Sequence, residues 1–213
     1  MLMGLVYKDL MVMKKQLLYY LFFFGVYAVL SVTGTFSIEG VMGVLAAMVG
    51  MMVPISSIAY DDQARWTKFA VATPAGRKGV AAGKYLLALL TILCSGLLAA
   101  LLGIVLLLTG AVEGDLTEAM VSVAGSVVVA VGMNDILLPL VFKYGSEKAR
   151  LAFFAVAGVF FLLLMVFGQK MDSMPALSET AGMLILAGVV AAVAVGMAVS
   201  YRISLAILEK KEL

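Results

Sequence analysis

Residues 86–108 read LLALLTILCSGLLAALLGIVLLL, a run without a single charged residue. About 20 apolar residues are enough for a helix to cross the hydrocarbon core of a bilayer. The strands of a membrane β-barrel would instead alternate apolar and polar side chains over about 10 residues. The run therefore predicts a membrane-spanning helix and disfavours a β-barrel.

Further apolar stretches on both sides of this run predict six spans in all. The composition agrees, because 64% of the residues are hydrophobic and only 13% are charged, whereas about a quarter of a soluble domain is charged. Six spans with short connections use most of the 213 residues and leave no room for a soluble domain of ~100 residues. We predict an all-α integral membrane protein with one transmembrane domain over residues 1–213 and spans at residues 16–35, 40–59, 85–109, 119–142, 151–168 and 181–201.

The basic residues lie on one side of these spans. Of the 15 Lys and Arg residues, all but Lys170 fall before the first span, between the second and third, after the fourth or after the sixth. Short basic loops resist translocation, so the asymmetry predicts that both termini face the cytoplasm. We expect a multi-pass protein of an inner or plasma membrane.

The first 15 residues predict an amphipathic helix at the membrane surface. At 100° per residue, five apolar side chains share an arc of about 100° and Lys8 and Lys15 lie opposite. The five are Leu2, Met3, Val6, Leu10 and Met13. Such a helix lies along the headgroups with its apolar face at the acyl boundary. The alternative is a short cytoplasmic extension of the first span.

A second short helix is predicted over residues 61–71, within the long cytoplasmic connection 60–84. Two acids, Asp61 and Asp62, favour its N-terminal end. Asp61 is also spaced to pair with Arg65 at i,i+4. Pro74 and Gly76 then end the helix.

This second helix carries a small apolar face among charged residues, formed by Trp66, Phe69 and Ala70. An exposed Trp and Phe at this spacing favour docking of a partner protein. Resting on the membrane interface is the alternative interpretation.

The residue types exclude several functions. The chain has no His and one Cys, Cys94, which argues against disulfides and against His-based metal or acid-base sites. Its 15 Met residues are more simply apolar packing than metal ligands. Basic residues do not interleave with aromatics, so no nucleic-acid surface is expected.

Residues 79–85, GVAAGKY, are superficially similar to a phosphate-binding P-loop. The glycines are too close together, and Tyr85 stands where a Ser or Thr would hold magnesium. We therefore expect no ATP site in this chain. Lys84 is interpreted as the positive anchor at the start of the third span.

Asn134 and Asp135 form an adjacent polar pair inside the predicted fourth span. An ionisable residue within a span is a functional hypothesis by default. Asp135 lies 8 residues before Lys143, about 12 Å of helix, so a structural place in a wet vestibule and a direct transport role are both open.

Small residues recur every four positions on two spans, as Ser122, Ser126, Ala130 and Asn134 on the fourth and as Gly188, Ala192, Gly196 and Ser200 on the sixth. Small side chains let helix backbones approach closely in lipid. The stripes predict helix contacts, with cavity lining as the alternative.

Several cytoplasmic segments together resemble the small ABC-2 type permeases of Gram-positive bacteria. They are residues 4–10 (GLVYKDL), 59–69 (AYDDQARWTKF), 84–86 (KYL), 138–150 (LPLVFKYGSEKAR) and 210–212 (KKE), with Pro74 and the pair Arg77-Lys78. The similarity spans the whole chain. Within that group the chain is similar to the permease subunits of exporters of amphipathic peptide toxins, the phenol-soluble modulins.

The resemblance implies a division of labour in a bacterial cell membrane. A separate cytoplasmic ATPase, acting as a dimer, would bind ATP and Mg, and two copies of this chain would form the pathway for a peptide or hydrophobic cargo. This chain would hold no cofactor and no metal and would not be an enzyme. Its coupling helix would present Trp66 and Phe69 to a groove on the ATPase, with Asp61, Asp62, Arg65 and Lys68 as the charged rim.

Two other classes of function compete with this interpretation. A secondary transporter or small channel would need intramembrane charges or broken helices in matching positions of two halves. Pro54 and Pro139 lie inside spans but do not by themselves make a repeat. An integral-membrane enzyme would need a His, an acid pair or an activated Ser. Antibiotics or lipids are the alternative cargoes to peptides.

Overall fold

The structure, a computed structural model, describes residues 2–34, 37–146 and 179–211, together with residue 148 and several positions between 151 and 162. Within these ranges the chain forms helices and no strand. The helices are α1 (Leu2–Val12), α2 (Lys14–Val32), α3 (Ile38–Gln63), α4 (Trp66–Ala72), α5 (Gly76–Leu108), α6 (Leu116–Tyr144) and α7 (Glu179–Lys210).

Five of the described helices, α2, α3, α5, α6 and α7, are long and apolar enough to cross a membrane. This confirms the prediction of an all-helical protein with several spans. The predicted span 151–168 lies largely outside the described residues, so the count of six stays a prediction.

The helices at the predicted cytoplasmic side are longer than the predicted spans. α3 continues to Gln63, α5 begins at Gly76, and α7 continues to Lys210. Hydropathy ends a span at the first charged residues, but a helix can continue where tertiary partners satisfy those charges. The extensions therefore form a polar layer beneath the membrane-spanning bundle.

α3 lies at the centre of the bundle, where it packs against α5 and α6. Glycines allow these backbones to approach: a Cβ at Gly43 would lie 2.6 Å from Ser122 Oγ, and one at Gly50 would lie 2.8 Å from Ile92 Cγ1. Ser95 Oγ on α5 donates a hydrogen bond to Ala46 O on α3 (2.9 Å). Close backbone contact with shared hydrogen bonds is how helices associate in lipid.

The small-residue stripe of α6 is confirmed as a helix contact. Ser122 meets Gly43, Ala130 is fully buried, and the Asn134 side chain donates to Gly50 O on α3 (3.2 Å). Among the described residues, the stripe of α7 is confirmed only toward the C-terminal end of the helix. There Ser200 Oγ donates to Asp135 O (2.6 Å), whereas a Cβ at Gly188 would meet nothing within 4 Å.

The orientation of the bundle can be tested by cysteine labelling. In a Cys94→Ala background, we expect an impermeant maleimide to modify a Cys at Glu113 in intact cells, because the charge asymmetry predicts that the α5–α6 loop faces outward. A Cys at Lys78, exposed on the first turn of α5, should react only after the membrane is opened. Labelling of Lys78→Cys in intact cells would reverse the predicted topology.

Candidate functional site

Four charged residues from three helices form a closed ring of ion pairs beneath the bundle. Lys8 and Asp9 come from α1, Asp61 from α3 and Lys84 from α5. Lys8 Nζ lies 2.7 Å from Asp9 Oδ1 and 2.6 Å from Asp61 Oδ1. Lys84 Nζ lies 2.8 Å from Asp9 Oδ2 and 2.5 Å from Asp61 Oδ2. Each carboxylate oxygen thus has its own ammonium partner, and the ring has no net charge.

Three of the four ring members are buried, and Lys8 is half-buried at its edge. Lys84 is 4% exposed, Asp9 3% and Asp61 7%. Besides the two carboxylates, Lys84 Nζ donates to Ser57 Oγ (2.6 Å), which accounts for all three of its N–H donors. A buried charge is tolerated when it is paired and fully hydrogen-bonded. The ring therefore ties α1 to α3 and α5 by contacts that fail together if one member is lost.

The ring corrects the interpretation of Lys84 as a surface anchor at the start of a span. α5 begins at Gly76, which places Lys84 two turns inside the helix. Its ammonium is buried against Asp9 and Asp61 and does not reach the headgroups. α1 packs closely against this turn of α5, since a Cβ at Gly83 would make ordinary contact with Leu5 at 3.4 Å.

The predicted continuous helix over 61–71 is wrong in its first half. α3 runs on to Gln63, Arg65 adopts a left-handed conformation (φ 51°), and α4 begins at Trp66. Asp61 pairs with Lys8 and Lys84 and not with Arg65 as predicted. The physical reason is that the buried ring holds the end of α3, so the chain must turn before α4 can start.

Asp62 also belongs to α3 and lies outside α4, so it is not on the rim of the predicted coupling helix. Its Oδ2 accepts a hydrogen bond from the Ser146 backbone N–H (3.1 Å), next to Gly145, which ends α6 with φ 80°. An acid at a helix C-terminus is electrostatically unfavourable, and this hydrogen bond offsets the cost. Asp62 therefore joins the first cytoplasmic connection to the second.

α4 presents one apolar side chain outward and holds another inward. Phe69 is 66% exposed, and Lys68 and Arg65 are exposed beside it. Trp66 is half-buried, with Lys8 Nζ 5.0 Å from the centroid of its ring. Ala70 is buried on the side of α4 that packs against α5. The ion-pair ring therefore positions Trp66 through Lys8. Trp66 in turn positions α4, on whose exposed side Phe69 lies.

Two basic side chains cap the C-terminal ends of α6 and α7 by donating hydrogen bonds to their carbonyls. Arg77, on the first turn of α5, donates to Glu209 O (3.0 Å) and Lys211 O (3.2 Å). Lys211 Nζ donates to Phe142 O (3.2 Å). Cations favour the free carbonyls at helix C-termini. The start of α5 and the C-terminal ends of α6 and α7 are therefore linked into one layer.

α1 is confirmed as a helix, but its predicted apolar arc is divided between the bundle and the surface. Val6 and Met13 are buried against Val53 and Leu87, whereas Met3 is 73% exposed. The ring, which sequence periodicity does not detect, rotates the Val6 side toward the bundle. The exposed apolar side that includes Met3 is the face available to a membrane surface.

The Asn134–Asp135 pair is split between two neighbours. The Asn134 amide donates to Gly50 O (3.2 Å) and Ala130 O (2.9 Å) and is buried. Asp135 is half-exposed and faces α7, where a Cβ at Gly196 would lie 3.0 Å from its Oδ2. The space beside the pair is about 10 Å³, the size of one water molecule. A role in the pathway stays a prediction.

A family model described as ABC-2 family transporter protein matches residues 4–209. The chain belongs to the ABC-2 family of transporters. No curated protein and no solved structure matches it. ABC-2 proteins are membrane components of transporters that generally work with an ABC ATPase. The match covers the ring and α4 as well as the spans.

Sequence reasoning assigned Trp66 and Phe69 to this ABC-2 chain's coupling surface but missed the ring. Lys8 and Asp61 are 53 residues apart, and Asp9 and Lys84 are 75 apart. The available signal was an acid and a base, Asp9 and Lys84, each set among apolar residues. Among the described residues there is no group of His, Cys, Asp and Glu that could hold a metal ion.

Proposed function

We propose that this chain is the permease subunit of an ATP-driven ABC exporter and that α4 is the element on which the ATPase docks. The observation that carries the proposal is the exposed Phe69 on a short helix whose other side is held by Trp66, Lys8 and the buried ring. An exposed aromatic side chain on a pre-positioned element is typical of a protein–protein hot spot. Arg65 and Lys68 supply a basic rim for acidic groups on the partner.

The contacts of α4 suggest how ATPase movement would reach the membrane. α4 packs against α3 and α5, and its Trp66 meets Lys8, which belongs to the ring that joins α1, α3 and α5. A displacement of α4 would therefore move these three helices together. Because buried ion pairs are costly to separate, the ring favours movement as a unit over local deformation. ATP binding and hydrolysis, with Mg, belong to the partner.

The cargo we propose is an amphipathic or hydrophobic peptide that leaves the cytoplasm of a bacterial cell. Support comes from the similarity of the cytoplasmic segments to permeases of peptide-toxin exporters. The pathway would be formed by two copies of this chain, each docked on one subunit of the ATPase dimer. Antibiotics and lipids are the alternative cargoes that the experiment below separates.

The test uses nucleotide binding and ATP turnover. We expect the purified chain alone to show no saturable ATP binding, because its glycine–lysine segment 79–85 lacks P-loop spacing. In nanodiscs with its ATPase, an amphipathic helical peptide should stimulate ATP turnover, and a scrambled peptide of equal composition should not. Micromolar ATP affinity of the chain alone would contradict the proposed division of labour. Stimulation only by a lipid or an antibiotic would contradict the peptide cargo.

A further inference from the structure

An apolar cleft runs between α2 and α5, with α3 as its floor. It encloses about 420 Å³ and is lined by Leu17, Tyr20 and Leu21 of α2, Val53 of α3, and Leu90 and Leu98 of α5. A second cavity of about 310 Å³ continues from Leu21 and Leu98 toward Val105. Together they form a narrow channel along the lateral surface of the bundle.

The polar side chains in the cleft wall are satisfied within the protein. Thr91 Oγ1 donates to Leu87 O (2.9 Å), and Ser95 Oγ donates to Ala46 O (2.9 Å). The Tyr20 hydroxyl accepts a hydrogen bond from Gln16 Nε2 (3.0 Å). The wall therefore offers no free hydrogen-bonding group to an occupant. A hydrocarbon chain loses no hydrogen bond on entering the cleft, whereas a polar ligand would lose the hydrogen bonds that it makes to water.

The end of the cleft at the start of α2, here called its mouth, lies one turn beyond two lysines of that helix. Lys14 precedes Leu17 by one turn on the same side of α2, Lys15 is its neighbour, and both are exposed. In the part of the chain that the structure describes, neither lysine forms an ion pair. The nearest acid in sequence, Asp9, is already neutralised by Lys8 and Lys84. The mouth thus carries uncompensated positive charge next to an apolar channel.

The lining of the cleft favours a hydrocarbon occupant, because the groove between α2 and α5 exposes an entirely apolar wall. A helix of a second copy would find a better surface on the convex side of α2, where Leu18, Phe22 and Val29 are exposed. A single acyl chain fits the concave cleft.

We propose that the cleft binds an acyl chain of an anionic phospholipid of the cytoplasmic leaflet, with the lipid phosphate held by Lys14 and Lys15. Each juxtamembrane lysine near an anionic headgroup strengthens binding roughly fivefold. The lipid would fill the space between α2 and α5 and support α2, which has few contacts with the rest of the bundle. This goes beyond the proposed function and needs neither the ATPase nor the peptide cargo.

Cys94 makes the proposal testable, because the chain's one cysteine lies on the cleft wall and is exposed. The experiment measures alkylation of Cys94 by N-ethylmaleimide in vesicles of phosphatidylcholine with and without phosphatidylglycerol. We expect phosphatidylglycerol to slow the reaction about threefold, which corresponds to two-thirds occupancy of the cleft. In Lys14→Gln/Lys15→Gln the protection should disappear. A control reporter is Leu93→Cys in Cys94→Ser, because Leu93 is exposed on α5 outside the cleft.

A charge-matched control is Lys78→Gln/Lys210→Gln, which removes two exposed lysines away from the cleft and should keep the protection. Equal alkylation rates in the two vesicle types would overturn the proposal. So would protection that survives Lys14→Gln/Lys15→Gln, since the headgroup would then not be recognised. Protection that rises with protein density instead of phosphatidylglycerol content would assign the cleft to a second copy and also overturn it.

Discussion

Replacing Lys84 by methionine is expected to detach α1 and to destabilise the protein more than any other single exchange of a charged residue. The change leaves two buried carboxylates, Asp9 (3% exposed) and Asp61 (7% exposed), with Lys8 as their one remaining ammonium in the ring. Breaking a buried ion pair from one side costs about 3–5 kcal/mol. The measurement is the thermal stability of the detergent-solubilised protein, followed by size-exclusion chromatography of the heated sample.

A reporter at Val6 distinguishes detachment of α1 from general unfolding. Val6 is 3% exposed against the bundle, so a Cys there, in Cys94→Ala, should be protected from maleimide in the parent and accessible in Lys84→Met. The matched control is Lys78→Met, which removes an exposed lysine from the same helix. It should change stability by less than about 0.5 kcal/mol.

A compensated variant tests the charge balance of the ring. Asp9→Asn/Lys84→Met removes one acid and one base and leaves the pair Lys8–Asp61 (2.6 Å). Because no buried charge is then left alone, we expect this double variant to be more stable than Lys84→Met. If Lys84→Met alone were as stable as Lys78→Met, the ring would not be what holds α1.

Replacing Phe69 by alanine is expected to release the ATPase without disturbing the permease. Phe69 is 66% exposed, so its truncation removes little packing within this chain, while loss of an aromatic hot spot commonly costs at least ~2 kcal/mol, roughly thirtyfold in affinity. Trp66→Ala should have a similar effect on binding and a further effect on fold, because its ring contacts Lys8. The readouts are co-purification of ATPase and peptide-stimulated ATP turnover.

Lys68→Ala serves as the matched control on the same helix. A rim charge contributes mainly to the association rate, so its loss should be milder and more dependent on salt. Trp66→Phe should restore much of the ATPase binding that Trp66→Ala loses, if the aromatic face of the side chain makes the contact. Full complex formation by Phe69→Ala and Trp66→Ala, together with its loss in Lys68→Ala, would identify Trp66 as a lipid anchor and not as a coupling residue.

The placement of the residues in the proposed coupling surface was only half predictable from sequence. Trp66 and Phe69 stand out because aromatic residues are rare in a charged cytoplasmic segment, and both lie on α4. Asp61 and Asp62 were assigned to the same helix because acids favour a helix N-terminus. In the structure they end α3, where Lys84 and the Ser146 N–H satisfy them. Local electrostatics predicted that these acids begin a helix. Partners distant in sequence place them at the end of one instead.

The sequence by itself determined the apolar spans and the family and predicted which side of the membrane is basic, because hydropathy, motifs and charge asymmetry are properties of contiguous residues. The tertiary structure alone decided which side of α1 is buried, where α3 stops, and that Lys8, Asp9, Asp61 and Lys84 form one ring. The physical reason is that a charged residue among apolar ones gives the same local sequence pattern in two cases. Its side chain can face lipid headgroups, or it can face a buried partner of opposite charge. Only the packing of α1 on α3 and α5 brings the opposite charge within 3 Å and removes water from both.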